Sequence, residues 1–217
     1  MLIDIHTHQY KNSECFQIMS IDISQDIIPD INSFSIGLHP WKIKEENLSH
    51  SLFELRNFIQ HKNCLAVGEA GLDRLKGPDL EIQINALKEQ IKLSEEFSIP
   101  LILHCVRAFP ELFYLKKNLK PKNPWILHGF TAGKEIAKEA IKKGILLSFG
   151  SALLKEKVKI LQYFSELPLD SIFFETDEDK VSIIDIYKKA SGSLQIPQDT
   201  LELQIEKNFK KVFRYEL

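Results

Sequence analysis

The chain has 217 residues, 44% of them apolar and 27% charged, with a formal net charge of −2 and a pI near 6.4. This is ordinary composition for a globular domain, and it excludes the overall basic field that gathers nucleic acid or anionic lipid. The N-terminal residues lack a basic leader followed by a cleavable apolar segment, and no apolar run is long enough to span a bilayer, so a cytoplasmic protein without membrane attachment is expected. Cys15, Cys64 and Cys105 are odd in number and unevenly spaced, which fits reduced thiols; without a CxxC pair, a thiolate zinc site is not expected.

LIDIHTH (Leu2–His8) reads as a buried strand that ends in two histidines. Side chains on a strand alternate, so His6 and His8 share a face about 7 Å apart, a spacing on which two imidazoles can close on one divalent ion. CFQIMSIDI is a second strand, residues 24–33 a short connection, and FSIGLHP (Phe34–Pro40) a third strand stopped by proline. Apolar residues at helical spacing predict helices over Asn47–His61, from Asp79 to Phe97, and over Phe109–Leu119, Lys134–Lys143, Lys155–Leu167 and Leu201–Tyr215. Between them lie the apolar strands Cys64–Leu72, Ile99–Cys105, Pro124–Phe130, Gly144–Ser151 and Ser171–Asp177.

Strand-like segments that are nearly continuous in apolar residues, most of them followed by a helix, are the pattern of buried parallel strands. A single domain over 1–217 is expected, an α/β (β/α)₈ TIM-like barrel with its site at the C-terminal strand ends. The first two strand–helix units are too short for full helices, so a distorted barrel with trimmed first helices is expected. A doubly wound open sheet is the alternative, but no glycine-rich phosphate loop supports it.

Metal-type donors fall at those strand ends: His6 and His8, Glu69 after CLAVG, His104 after LIL, His128 after WIL, and Asp177 after FFET. Taken singly, a histidine at a strand end is more often a packed or surface residue than a ligand, Glu69 could cap a turn, and Asp177 could cap a helix. Taken together, each directly follows an apolar strand. Four imidazoles and two carboxylates suit zinc, manganese, iron or magnesium, and six donors are enough for two divalent ions with Glu69 bridging. Such ions would clamp an ester or phosphate oxygen and lower the pKa of a shared water, with Asp177 as ligand or as general base. Glu175 and Asp73 read as supporting residues, His39 as a pocket residue more than a ligand, and His50 and His61 as solvent-facing.

The order H-x-H, G-x-H-P, G-E-x-G-L-D, L-H-C-x-R, H-G-F and E-T-D resembles the TatD family of metal-dependent hydrolases, a branch of the amidohydrolase-type barrels known chiefly as Mg²⁺-dependent deoxyribonucleases. The resemblance implies a distorted TIM barrel with one metal site from His6, His8, Glu69 and Asp177. It implies a second from Glu69, His104 and His128, with His39 near the substrate phosphate. Arg107 would bind an oxyanion, or else form an ion pair at a helix start. The chain departs from the family in its short first third, in Trp41 where the family has a second histidine after H-P, and in E-T-D-E-D-K-V-S, which lacks the proline-rich loop. Trp41 could stack a base or simply pack.

The leading expectation is a monomeric two-metal phosphodiesterase or deoxyribonuclease acting on DNA ends, with affinity from the metals, Arg74, Arg107 and Lys42. Mg²⁺ is implied by the family, and Zn²⁺ or Mn²⁺ suits the same donors. The alternatives are an amide, lactone or other small-molecule ester hydrolase with the same centre, and a non-catalytic metal-binding protein.

Overall fold

The computed structural model describes residues 1–9, 15–23, 32–155 and 159–217. Eight parallel strands follow one another in sheet order: β1 (Leu2–Thr7), β2 (Cys15–Asp22), β3 (Phe34–Gly37), β4 (Cys64–Asp73), β5 (Leu101–Val106), β6 (Trp125–Leu127), β7 (Ile145–Phe149) and β8 (Ile172–Phe174). The helices are α1 (Leu48–Ile59), α2 (Leu80–Phe97), α3 (Phe109–Leu119), α4 (Lys134–Lys142), α5 (Ile183–Leu194) and α6 (Gln198–Phe213). This is the (β/α)₈ TIM-like order expected from the alternation of patterns. Among the described residues no helix stands between β1 and β3, as the short first third requires. Most of the expected 24–33 connection lies outside the described residues. No described helix is long and apolar enough to cross a membrane.

The chain divides into two compact units, Met1–Met19 with His128–Leu217, and Ser20–Leu127. In the first, β7 pairs with β8 and β1 with β2, while Thr7 bridges to Asp177 just beyond β8. The face of α6 carrying Leu201, Ile205, Phe209 and Val212 is buried against β1 and β8. Each such side chain contributes about 1.5–3 kcal/mol by leaving water. The Tyr187 hydroxyl on α5 donates to the Ile3 carbonyl (3.1 Å) and accepts from its N–H (3.2 Å), tying α5 to the middle of β1.

Two helical expectations change. α5 was not anticipated, although Ser182 caps it and Ile183, Ile186, Tyr187 and Ala190 line its buried face. The helix expected over Lys155–Leu167, whose residues 156–158 lie outside the described set, is instead a run of short 3-10 turns at Ser151–Leu154, Lys159–Gln162 and Phe164–Glu166. Ile160, Tyr163, Phe164 and Leu167 are buried at the anticipated spacing. Tyr163 (φ −134°) and Leu167 (ψ 139°) leave the helical region, the latter because proline at 168 disfavours it.

In the second unit β3, β4, β5 and β6 pair in order, and all ten residues of β4 are buried. Two buried glutamines two turns apart on α2 hold the ends of β3 and β4. Gln90 accepts from the Leu38 N–H (2.8 Å) and donates to its carbonyl (3.1 Å). Gln83 accepts from the Asp73 N–H (2.7 Å) and donates to the Asp73 carbonyl (2.9 Å).

α2, α3, α5 and α6 each end on a non-glycine residue in the left-handed region: Ser98, Lys120, Gln195 and Arg214. A side chain there costs about 1–2 kcal/mol that glycine avoids. Gln195→Gly, at an exposed position, is therefore expected to stabilise the fold by about 1 kcal/mol, read as a rise of roughly 2–4 °C in Tm. An unchanged or lower Tm would show that Gln195 contributes more than its backbone strain costs.

Candidate metal centre

In the first unit the β1–β2 register shifts between Asp4 and Thr7, and such a bulge re-aims the side chains beside it. His6 is fully buried and His8 exposed, their rings meeting edge-on at 5.1 Å. The Asp177 N–H donates to the His6 carbonyl (2.9 Å), and the His8 N–H donates to the Asp177 carbonyl (3.2 Å). These bonds hold Asp177 at φ 53° and bring its Oδ1 to 3.6 Å from His6 Nε2 and 3.5 Å from His8 Nε2. Donors around one ion with bonds of about 2.0–2.2 Å stand roughly 3–3.5 Å apart, so this trio fits a single divalent ion after a small adjustment.

Asp4, buried two residues before His6, supports this cluster. Its carboxylate accepts from the Thr176 N–H (3.1 Å), the Thr176 hydroxyl (2.6 Å) and the His6 N–H (3.4 Å). Burial pushes its carboxyl up to about 7 despite those bonds. Sequence reasoning passed over it, although a charge inside L-I-D-I was the available signal. Asp4→Ala, which orphans these donors, is expected to cost about 2–3 kcal/mol in urea unfolding, and Asp4→Asn clearly less. Equal losses would mean that only the shape of the side chain matters.

His128 follows β6, its ring 4.3 Å from that of His6 and its Nδ1 3.5 Å from Glu175 Oε1. Burial alone would raise the Glu175 carboxyl, but the hydrogen bond and charge of His128 and the charge of His6 hold it below the usual range. Glu175 also accepts the Gly129 N–H. A buried carboxylate in this position holds the His128 ring in place.

In the second unit the β4–β5 register shifts between Val67 and Ala70, around Glu69. Glu69 Oε1 lies 3.0 Å from both His39 Nε2 and His104 Nδ1. Asp73 Oδ2 is 3.1 Å from His104 Nε2 and 2.6 Å from the Trp41 indole nitrogen, and its Oδ1 accepts the Leu75 and Lys76 N–H groups at 2.7 and 3.2 Å. Burial acts to raise the Asp73 carboxyl, but the Trp41, Leu75 and His104 bonds outweigh it and hold the group below its ordinary value.

These partners fix the two histidines differently. His39 Nδ1 accepts the Trp41 backbone N–H (3.2 Å), so its proton is on Nε2 and points at Glu69. His104 lies between two carboxylates, its Nε2 3.1 Å from Asp73 Oδ2 and its Nδ1 3.0 Å from Glu69 Oε1. A carboxylate oxygen flanked by two imidazole nitrogens at 3.0 Å has the spacing of donors around one divalent ion. The donor chemistry therefore fits a metal at Glu69 and His104, with His39 bracing the carboxylate.

Of the expected substrate cations, Arg74 pairs with Glu111 and Lys42 with Asp22, so both are engaged within the unit. The ion pair considered for Arg107 at the start of α3 is made by Arg74 instead; Arg107 is exposed just beyond β5. Burial pushes the Cys64 and Cys105 thiols up to about 12, which suits neither ligand nor nucleophile.

A family profile described as TatD related DNase matches residues 19–214. The chain belongs to the TatD family. The match begins after His6 and His8, so those two rest on their spacing and geometry. An uncharacterized metal-dependent hydrolase of Haemophilus influenzae is 28% identical over 166 residues, covering 72% of this chain and 63% of the relative. A protein of Erwinia tasmaniensis named 3'-5' ssDNA/RNA exonuclease TatD is 27% identical over 153 residues, covering 69% and 59%. The chain thus matches about three-fifths of the length of these curated relatives. The crystal structure of YjjV, a TatD homolog from Escherichia coli, superposes with a TM-score of 0.82 at 21% identity, covering 99% of this chain and 98% of the other, and shares the fold.

Proposed function

We propose that this TatD-family chain is a divalent-metal-dependent hydrolase that removes nucleotides from single-stranded nucleic-acid ends. One observation carries the reading: two histidine–carboxylate clusters, His6–His8–Asp177 and Glu69–His104, have the donor types and separations of metal sites. The name of the Erwinia tasmaniensis relative supports the substrate class. When bound, two divalent ions would polarise a phosphoryl oxygen and acidify water.

The chain's own residues supply the rest. Asp177 is 37% exposed on its side chain while its backbone is locked to β1, so it can accept the proton of an attacking water at a fixed place. The water oxygen bonds to phosphorus, the ester P–O bond breaks, and the released sugar oxygen takes up a proton. His39 keeps Glu69 oriented through its Nε2–H. Arg107 is exposed just beyond β5 and can pair with a phosphate. A net charge of −2, with Arg74 and Lys42 already engaged, favours a short single-stranded end over a long duplex. The same facts favour a small-molecule ester or amide as the second reading.

The test is turnover of 5'-labelled single-stranded DNA with Mg²⁺, Mn²⁺ or Zn²⁺, beside a panel of lactones and amides. Stepwise shortening that stops on chelation supports the reading. Hydrolysis of small molecules alone would replace the substrate class.

A further inference from the structure

We infer that Trp41 and Lys76 form a nucleotide subsite beside the Glu69–His104 cluster, with a base stacked on the indole and a phosphate paired with the lysine ammonium. The inference rests on the proposed reading of single-stranded nucleic acid as substrate. Trp41 stands in the 3-10 turn Pro40–Lys42, directly after the β3 end that Gln90 clamps. Its indole N–H is taken by Asp73 Oδ2 at 2.6 Å, and its ring meets those of His39 and His104 edge-on at 4.7 and 5.6 Å. The ring is thus fixed at the cluster, yet the residue is 45% exposed. A single exposed apolar side chain is ordinary. One that is pinned beside a candidate metal site is a ready stacking surface, because it loses little freedom when a ligand settles on it.

Lys76 reaches the same surface from the loop after β4, which is clamped from beneath. Asp73 Oδ1 accepts the Lys76 N–H at 3.2 Å, and the buried Gln83 amide donates to the Lys76 and Pro78 carbonyls at 3.1 and 2.8 Å. Gly77, at φ 89°, packs so closely on the Pro40 carbonyl that an added Cβ would lie 2.5 Å from its oxygen. Loop and turn therefore form one surface, and the Lys76 ammonium sits 3.9 Å from the centre of the Trp41 ring, over its face. Among the described residues Arg74 and Lys42 have carboxylate partners, whereas the Lys76 ammonium has only the ring. A ring face is a weak partner for an exposed cation, and a phosphate is a stronger one. Lys76 is exposed on a flexible stem, so its ammonium can swing from the indole to a phosphate while a base takes the vacated face.

The chain has two tryptophans and Trp125 is fully buried, so quenching by an added ligand reads Trp41. Wild type, Lys76→Ala, Lys76→Arg and Trp41→Leu are titrated with a short oligothymidylate in EDTA. Tryptophan quenching is followed where Trp41 is present, and anisotropy of the labelled oligonucleotide in every protein. The wild-type fluorescence is expected to quench to saturation, and inorganic phosphate alone to leave it unchanged. Lys76→Ala should weaken binding about tenfold and lower the slope of log affinity against log salt by about 0.7, the loss of one single-strand phosphate contact, with Lys76→Arg restoring both. Trp41→Leu should weaken binding about tenfold with the salt slope kept, since it removes stacking and no charge. Absence of quenching, or an unchanged salt slope in Lys76→Ala, overturns the inference. So does a wild-type KM for single-stranded DNA in both Lys76→Ala and Trp41→Leu. Quenching with the expected variant effects, from a protein that cuts no nucleic acid with any metal, upholds the subsite and overturns the nuclease reading instead.

Discussion

Asp177→Asn is expected to lower hydrolysis of single-stranded DNA ends by about a thousandfold, the size of effect that follows loss of a placed general base. The substitution changes little in shape. The bonds that hold residue 177 are backbone ones, to His6 and His8, so the turn should survive. What is lost is an anionic oxygen 3.5–3.6 Å from two imidazole nitrogens, which the proposed function uses both as metal donor and as proton acceptor. Glu69→Ala should be comparably inactive for a different reason, since it removes the oxygen that His39 and His104 both approach at 3.0 Å. Single-turnover rates with unchanged thermal stability check both. Full activity in Asp177→Asn would move the proton acceptor elsewhere.

Gly71→Ala has the largest expected effect on folding. Gly71 sits at φ 147° in β4, opposite His104 in β5, and a Cβ there would lie 1.9 Å from the His104 carbonyl oxygen. Gly71 lies in a fully buried strand and is paired with His104 itself, so that carbonyl cannot move away without breaking the β4–β5 ladder. A loss of more than about 4 kcal/mol, at the exceptional end for one substitution, is expected, with failure to express folded protein as its practical form. Gly133→Ala is the matching control: φ is −75° and nothing lies within 4 Å of the added methyl. Urea unfolding of the two variants checks the contrast, and similar midpoints would contradict it.

The strands were legible because buried parallel strands are written as apolar runs, and β4 through β8 each carry one. The donors were legible because they terminate those runs; His6, His8 and Asp177 come together as the period of two and the strand ends imply. Periodicity could not distinguish an α-helix from successive 3-10 turns over 159–167, since both bury Ile160, Tyr163, Phe164 and Leu167 on one side. α5 is announced by Ser182 and the Ile183–Ile186–Tyr187–Ala190 spacing, but it follows directly on the charged run E-T-D-E-D-K-V-S, which reads as loop. Asp4 and the Trp41–Asp73 bond were hidden for a deeper reason. Both depend on which partner a side chain meets across distant sequence, Thr176 for Asp4 and a residue one strand away for Trp41. Local pattern carries no record of such pairings.

The most direct test of a metal-centred hydrolase is anomalous scattering from crystals soaked in Mn²⁺. One peak is expected among His6 Nε2, His8 Nε2 and Asp177 Oδ1, and another against Glu69 Oε1 and His104 Nδ1. Crystals that bind Mn²⁺ at neither cluster, from protein that still cleaves DNA ends, would contradict it.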